Sequence, residues 1–259
     1  MKLIKAALFW IPVWTFTIFI FLRVLGVSLV SFLRRDPLLS HHCHNLAGQW
    51  GRGILKMTPG WTYRIRGQQH LPPSNKPLVV VANHQSSVDI CALYLLGIQF
   101  RWLSKAEIFK IPFVGSGMKL AGYVPIKRGD KISHEQAFES SRQWLRQGVS
   151  MVYFPEGSRS TDGQLKPFKP GAFRLSELEK VDVLPVIIRG TKSMMAKNSL
   201  VPHPSHVDLE VLPPTARRDH ESVEDFMDRV RSSMLDTLSQ PLPERVILSS
   251  QKALTQPTY

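Results

Sequence analysis

The sequence is short of cysteine and short of acid. Among 259 residues there are two cysteines, Cys43 and Cys91. Neither belongs to a Cys-x-x-Cys pair, so neither a disulfide framework nor a zinc ribbon is indicated, and a reducing compartment is the simplest inference. Asp and Glu total 20 against 33 Lys and Arg, a formal net charge of +13. Such a chain is drawn to polyanions: nucleic acid, an anionic membrane surface or phosphorylated substrates. The sequence also lacks a stripe of basic residues interleaved with exposed aromatics and any recognised nucleic-acid motif, which argues against a nucleic-acid binder. No internal repeat or low-complexity tract is visible. Long apolar runs are absent beyond the first 35 residues.

Those first residues are rich in what the remainder lacks. Ala6 to Leu22 is an uncharged run carrying Phe9, Trp10, Trp14, Phe16, Phe19 and Phe21, and a second apolar run extends from Val24 to Leu33. Lys2, Lys5, Arg23, Arg34 and Arg35 flank the two pieces, a membrane-seeking arrangement. Pro12 and Arg23 interrupt what would otherwise be one long span, and the first run is at the lower limit for crossing a hydrocarbon core of ~30 Å. Two arrangements fit: a single span, or a helix pair lying in the cytoplasmic leaflet. No small-x-small site is clear and the segment continues apolar past residue 23, which argues against a cleaved signal peptide.

Residues 36–60 read as a polar, basic connector with helical character from His44 to Lys56. Within it His41-His42-Cys43-His44 could suggest a metal site. Four adjacent residues cannot all face one ion on a helix or strand, so no metal is assigned. From Trp61 the rhythm becomes strand, helix, strand. Strands are expected at 62–66, 78–81, 100–104, 122–126, 150–154, 183–188 and 206–212, and helices at 88–96, 114–121, 131–147, 172–179 and 223–238. Several strands are apolar throughout, so a largely buried sheet flanked by helices on both faces is expected. The fold class is thus a single α/β domain over 61–240, preceded by the membrane-associating helical segment 1–35 and the connector 36–60. It is followed by a peripheral tail, 241–259.

Two stretches carry chemistry. Asn83-His84-Gln85-Ser86-Ser87-Val88-Asp89 follows the strand 78–81 and enters a helix. If Ser86 or Ser87 caps that helix, Asp89 can fold back to hold one imidazole nitrogen of His84 and leave the other free as a general base. The competing reading is a polar loop in which His84 satisfies local backbone. Phe154-Pro155-Glu156-Gly157-Ser158-Arg159-Ser160 likewise follows a strand. Gly157 lets backbone approach a ligand, and Arg159 offers forked donors for a phosphate or carboxylate. An ion pair between Glu156 and Arg159 closing a turn is the alternative.

Together these blocks resemble the glycerophospholipid acyltransferase family, most closely its bacterial 1-acyl-glycerol-3-phosphate (lysophosphatidic acid) acyltransferases. Ser104 to Phe109, Ile111 to Gly115, Gly122 to Arg128 and Val183 to Ile187 look like that family's remaining blocks, in its order, so the resemblance covers about residues 60–215. It implies an O-acyltransferase that moves a fatty acyl group from acyl-CoA or acyl-carrier protein to the sn-2 hydroxyl of 1-acyl-glycerol-3-phosphate, forming phosphatidic acid. The alternative is the same chemistry on another lysophospholipid or a lyso-aminolipid. On the residues it implies His84 as base and Asp89 as its support. Arg128, Arg159 and Lys105 would hold the acceptor phosphate within a binding loop that includes Glu156, Gly157 and Ser158. Glu156 would position Arg159 or glycerol hydroxyls, and Leu184 to Ile187 would line the acyl side or support the thioester end. No metal or bound cofactor is implied beyond the acyl thioester as co-substrate. The expected partners are the lysophospholipid, the acyl donor and a lipid surface, at the cytoplasmic face of a bacterial inner membrane. The chain departs from the family pattern in having Ser158 where threonine is usual, which keeps the hydroxyl, and Lys127 where an Asp or Asn commonly precedes the arginine.

Overall fold

A computed structural model describes residues 2–73, 76–160, 162–195 and 200–241. In chain order the helices are α1 (Lys2–Arg34), α2 (Leu39–Met57), α3 (Asp89–Leu93), α4 (Val114–Leu120), α5 (Lys131–Arg146), α6 (Gly171–Glu179), α7 (Thr191–Met194) and α8 (Val223–Ser239). The strands are β1 (Trp61–Arg66), β2 (Val79–Ala82), β3 (Phe100–Lys105), β4 (Val124–Ile126), β5 (Ser150–Tyr153), β6 (Val183–Arg189) and β7 (Ser205–Val211). All seven lie in one mixed sheet of order β1-β7-β6-β2-β5-β3-β4, with only the β6–β7 pair antiparallel.

Alternation along the central strands explains the layering. Val80 and Ala82 of β2 face a cluster with Leu55, Leu93 and Phe100, whereas Val79 and Val81 face the opposite cluster with Phe173 and Phe226. Successive side chains of a strand point to opposite faces, so a run of Val and Ile buried on both sides requires a helical layer on each. Two helices of the second layer are capped locally: Asp130 accepts from the Ser133 amide at 3.0 Å, and Ser222 from the Asp225 amide at 3.0 Å.

The amino terminus differs from the two-piece reading. α1 is continuous through Pro12 and Arg23. Proline removes one rung of the helical ladder, and packing against α2 and the domain compensates. Val13, Thr17, Ile20 and Val24 form its buried stripe, Trp10 Nε1 donates to the Leu200 carbonyl at 2.8 Å, and Phe9 lies on Trp61. Arg23 does not break the helix because its guanidinium reaches Gln49 of α2 at 2.6 Å. The outer face, including Ile4, Leu8, Ile11, Leu22 and Phe32, is exposed and apolar. Residues 6–34 are long and apolar enough to cross a membrane by length and composition.

The stretch 36–60 expected as a connector is mostly α2, with Cys43, Leu46, Ile54 and Leu55 buried in the core cluster shared with the sheet. Its His and Cys side chains diverge. His42 meets Asp36, whereas His44 is buried between the Tyr123 hydroxyl and the Ile98 carbonyl. Burial, reinforced by Arg101, pushes His44 down to about 3, so it is neutral; its Nε2–H donates to Ile98 and its Nδ1 accepts from Tyr123. All but the first residue of the tail 241–259 lies outside the described residues.

Candidate active site

The parallel strands β2, β3, β4 and β5 end at one edge of the sheet, where open α/β sheets bind their ligands. The loop after β2 carries His84, and that after β5 carries Glu156 to Ser160. Lys105 ends β3, and Arg128 follows β4.

His84 and Asp89 come together as local spacing suggests. Ser86 Oγ accepts from the Val88 amide at 3.3 Å, tightening the turn, and α3 begins at Asp89. Asp89 is fully buried, and its Oδ2 accepts from three donors: His84 Nδ1 at 2.7 Å and the amides of Gln85 and Ser86 at 2.7 and 2.9 Å. An ionised carboxylate only accepts, so the imidazole proton sits on Nδ1 and the lone pair on Nε2. Nε2 has no hydrogen-bond partner among the described residues, and the side chain retains 19% exposure. Phe154 stacks on the ring at 4.0 Å, fixing its plane.

Glu156 goes elsewhere than expected. Its Oε1 accepts from the His84 amide at 2.8 Å and its Oε2 from the Lys166 amide at 3.1 Å. Its hydrogen bonds thus go to backbone rather than to Arg159, while the residue still borders the cavity beside His84. It clamps the loop after β5 to the loop that carries His84, and the Ser160 amide reinforces this by donating to the His84 carbonyl at 2.7 Å. Burial raises the Glu156 carboxyl above its ordinary value against the opposing pull of the two amides. Asn83 performs the same service on the other side: its amide group both donates to and accepts from the backbone of Ile188.

A cavity of about 1350 Å³ opens in front of this pair. Lys105, Arg128, Glu156, Gly157, Ser158 and Arg159 all line it, so the expected substrate-binding residues share one space with His84. Gly157 takes φ +69°, a conformation suited to glycine. Arg128 donates to the Gly157 carbonyl at 2.7 Å, and Ser158 Oγ accepts from Lys166 Nζ at 3.3 Å. Lys169 and Lys192 also line the cavity and were not legible as site residues. From His84 the cavity continues between apolar walls supplied by Ile20, Phe21 and Val24 of α1, Trp50 of α2, and Met118. Leu184 to Ile187 do not line it. They are buried inside β6, flanked by β2 and β7, so packing rather than ligand contact accounts for them.

A family model described as acyltransferase matches residues 62–189. Over 246 residues the chain is 33% identical to a 1-acyl-sn-glycerol-3-phosphate acyltransferase of Chlamydomonas reinhardtii, covering 92% of this chain and 71% of that one. The chain belongs to the acyltransferase family. A chloroplastic 1-acyl-sn-glycerol-3-phosphate acyltransferase of Arabidopsis thaliana is 38% identical over 71% of this chain, which spans about half, 50%, of that relative's length. The human 1-acyl-sn-glycerol-3-phosphate acyltransferase alpha is 34% identical over 70% of this chain and 65% of its own. Among solved structures, the 1-acyl-sn-glycerophosphate acyltransferase of Thermotoga maritima superposes with a TM-score of 0.71 at 24% identity, covering 92% of this chain and 97% of that one. That likeness establishes the acyltransferase fold, with its mixed sheet and amino-terminal apolar helix.

Proposed function

We propose that the protein transfers a fatty acyl group from a thioester donor, acyl-CoA or acyl-carrier protein, to the sn-2 hydroxyl of 1-acyl-glycerol-3-phosphate, forming phosphatidic acid. The observation that carries this reading is His84 Nδ1 held at 2.7 Å by Asp89, with His84 bordering a cavity lined by both cationic and apolar side chains. Nε2 takes the hydroxyl proton as the oxygen attacks the thioester carbonyl. Asp89 stabilises the imidazolium, and collapse of the tetrahedral adduct breaks the C–S bond, the departing sulfur receiving that same proton. One ester forms and one thiol leaves, so atoms balance with the thioester as co-substrate and no further cofactor. Holding the acceptor phosphate on the cations at the mouth turns a two-body encounter into an oriented attack.

The exposed apolar face of α1 and the basic residues at its carboxyl end support attachment to an anionic lipid surface, where the acceptor resides. In this reading the catalytic domain faces the cytoplasm at a bacterial inner membrane. The test is transfer of a labelled acyl group by purified protein to a panel of lysophospholipids, a lyso-aminolipid and water. Preferential labelling of 1-acyl-glycerol-3-phosphate is expected, and release of free fatty acid without any acceptor product would refute the assignment.

A further inference from the structure

The cavity mouth holds more positive charge than the sequence blocks account for. Among the described residues Lys105, Arg128, Arg159, Lys169 and Lys192 all border the cavity, and none is paired with a carboxylate. Lys166, by contrast, is engaged by the loop itself, its Nζ donating to the Arg159 carbonyl at 2.8 Å and to Ser158 Oγ. Unpaired cations collected at a concave site mark a place for an anion. Which of them act together is decided by geometry, and two converge on a single residue.

That residue is Gly157. On one side Arg128 donates to its carbonyl at 2.7 Å. On the other, Lys169 lies so close that a Cβ placed on Gly157 would stand 2.9 Å from its Cε and 3.0 Å from its Nζ. Lys169 is held there by its backbone. Its amide donates to the Pro155 carbonyl at 2.9 Å, the Lys166 amide is fixed on Glu156, and the neighbouring Phe168 is buried in the core. The segment 166–169 is thus laid along the loop after β5, and the ammonium has no hydrogen-bond acceptor or ion pair among the described residues. Gly157 directly follows Glu156, the carboxylate that holds the His84 amide.

Resting on the acyl-transfer reading above, we propose that Lys169 joins Arg128 in seating the acceptor's phosphate. Only two carbons and a bridging oxygen separate the sn-2 hydroxyl oxygen from phosphorus in 1-acyl-glycerol-3-phosphate. The phosphate must therefore sit beside the loop that is clamped to the base. Two cations meeting at Gly157 neutralise a monoester dianion from two directions, which a single guanidinium cannot do. The glycine suits the left-handed turn at φ +69° and leaves the Lys169 ammonium in place, since a Cβ there would push it aside.

The test measures kinetics and binding separately. Lys169→Met is expected to raise KM for 1-acyl-glycerol-3-phosphate about tenfold or more, to leave KM for the acyl donor unchanged, and to lower kcat less than about threefold. Lys169→Arg, which keeps the charge, is expected to restore most of the loss. Preference for the phosphorylated acceptor over the corresponding monoacylglycerol should narrow in Lys169→Met, which a purely structural lysine would not cause. In parallel, 1-acyl-glycerol-3-phosphate is titrated into the protein in detergent micelles without donor, where Lys169→Met should weaken binding by a similar factor. An unchanged acceptor KM and unchanged binding in Lys169→Met would overturn the seat while leaving acyl transfer intact. Tight, Lys169-dependent binding without any turnover by the unaltered protein would support the seat and defeat the acyl-transfer reading.

Discussion

Two fully buried aspartates, Asp89 and Asp208, have opposite designs. Asp208 on β7 is saturated: Oδ2 accepts from Arg64 Nε and Nη2, Oδ1 from Arg66 Nε and Nη2, at 2.7–3.0 Å. The network closes through Glu210 and Arg189, which also reaches the Thr237 carbonyl. Asp89 concentrates its donors on one oxygen and leaves Oδ1 buried without a partner, and the histidine it holds keeps a free nitrogen toward the cavity. A saturated buried network can only hold elements together, here β1, β6, β7 and the end of α8. A network with one end open toward a cavity has a group left over for a ligand. One buried carboxylate is thus committed to the edge of the sheet and the other to His84.

The comparison breaks most visibly at the open network. His84→Ala is expected to lower acyl transfer by about 10²–10⁴-fold with the fold retained. Turnover within a few-fold of the unaltered protein would remove the base. Asp208→Ala should do the reverse, destabilising the domain by about 3 kcal/mol by leaving Arg64 unpaired and Arg66 with Glu210 alone, while leaving kcat nearly unchanged. Denaturant unfolding beside the transfer assay separates the two effects. Burial works to raise the Asp208 carboxyl, but the hydrogen bonds from Arg64 and Arg66 outweigh it and hold the group below its ordinary value. A depressed carboxyl contributes stability above its unfolded value, near 3.8, and loses it as the pH falls through the folded value. Acid unfolding should therefore steepen below about pH 4, and part of that slope should vanish in Asp208→Asn.

Glu156 lies between these extremes, being saturated like Asp208 but clamped to the catalytic loop. Glu156→Gln puts a donor against one of two backbone amides, at a cost of about 1–3 kcal/mol. Activity should fall further than stability because the His84 amide is one of those donors. Equal losses would make Glu156 a packing residue only. The smallest change is expected for the exposed Arg159, whose replacement by Ala should raise the acceptor KM about tenfold with kcat largely kept. An unchanged KM would leave the phosphate to Arg128 and Lys169.

The comparison also separates what was local from what was not. All seven strands and the chief helices were legible because each is a short apolar run, an alternating strand or a stretch of helical periodicity bounded by turn residues, a signal carried within a few residues. The His84–Asp89 pair was legible for the same reason: a five-residue turn brings the two together with help only from Ser86 and backbone amides. The saturated pairing of Asp208 with Arg64 and Arg66 spans 144 and 142 residues and left no pattern in the chain.

Everything decided at long range had to await the fold. Pro12 and Arg23 looked like breaks in the amino terminus, yet packing on α2 and the reach to Gln49 keep α1 whole. Leu184 to Ile187, within a strand read as such, were also expected on the acyl side or at the thioester end and lie in the middle of the sheet, since an apolar strand reads alike in either place. Glu156, expected to position Arg159 or glycerol hydroxyls, holds the amide of His84, 72 residues away. Lys169, an ordinary lysine in a basic segment, acquired meaning only when the backbone brought it beside Gly157. The sequence by itself determined the strands and the pairing of His84 with Asp89, because secondary structure and tight turns are short-range. Tertiary structure alone decided which carboxylates are spent on backbone and which cations share an anion, because burial and convergence belong to residues far apart in the chain.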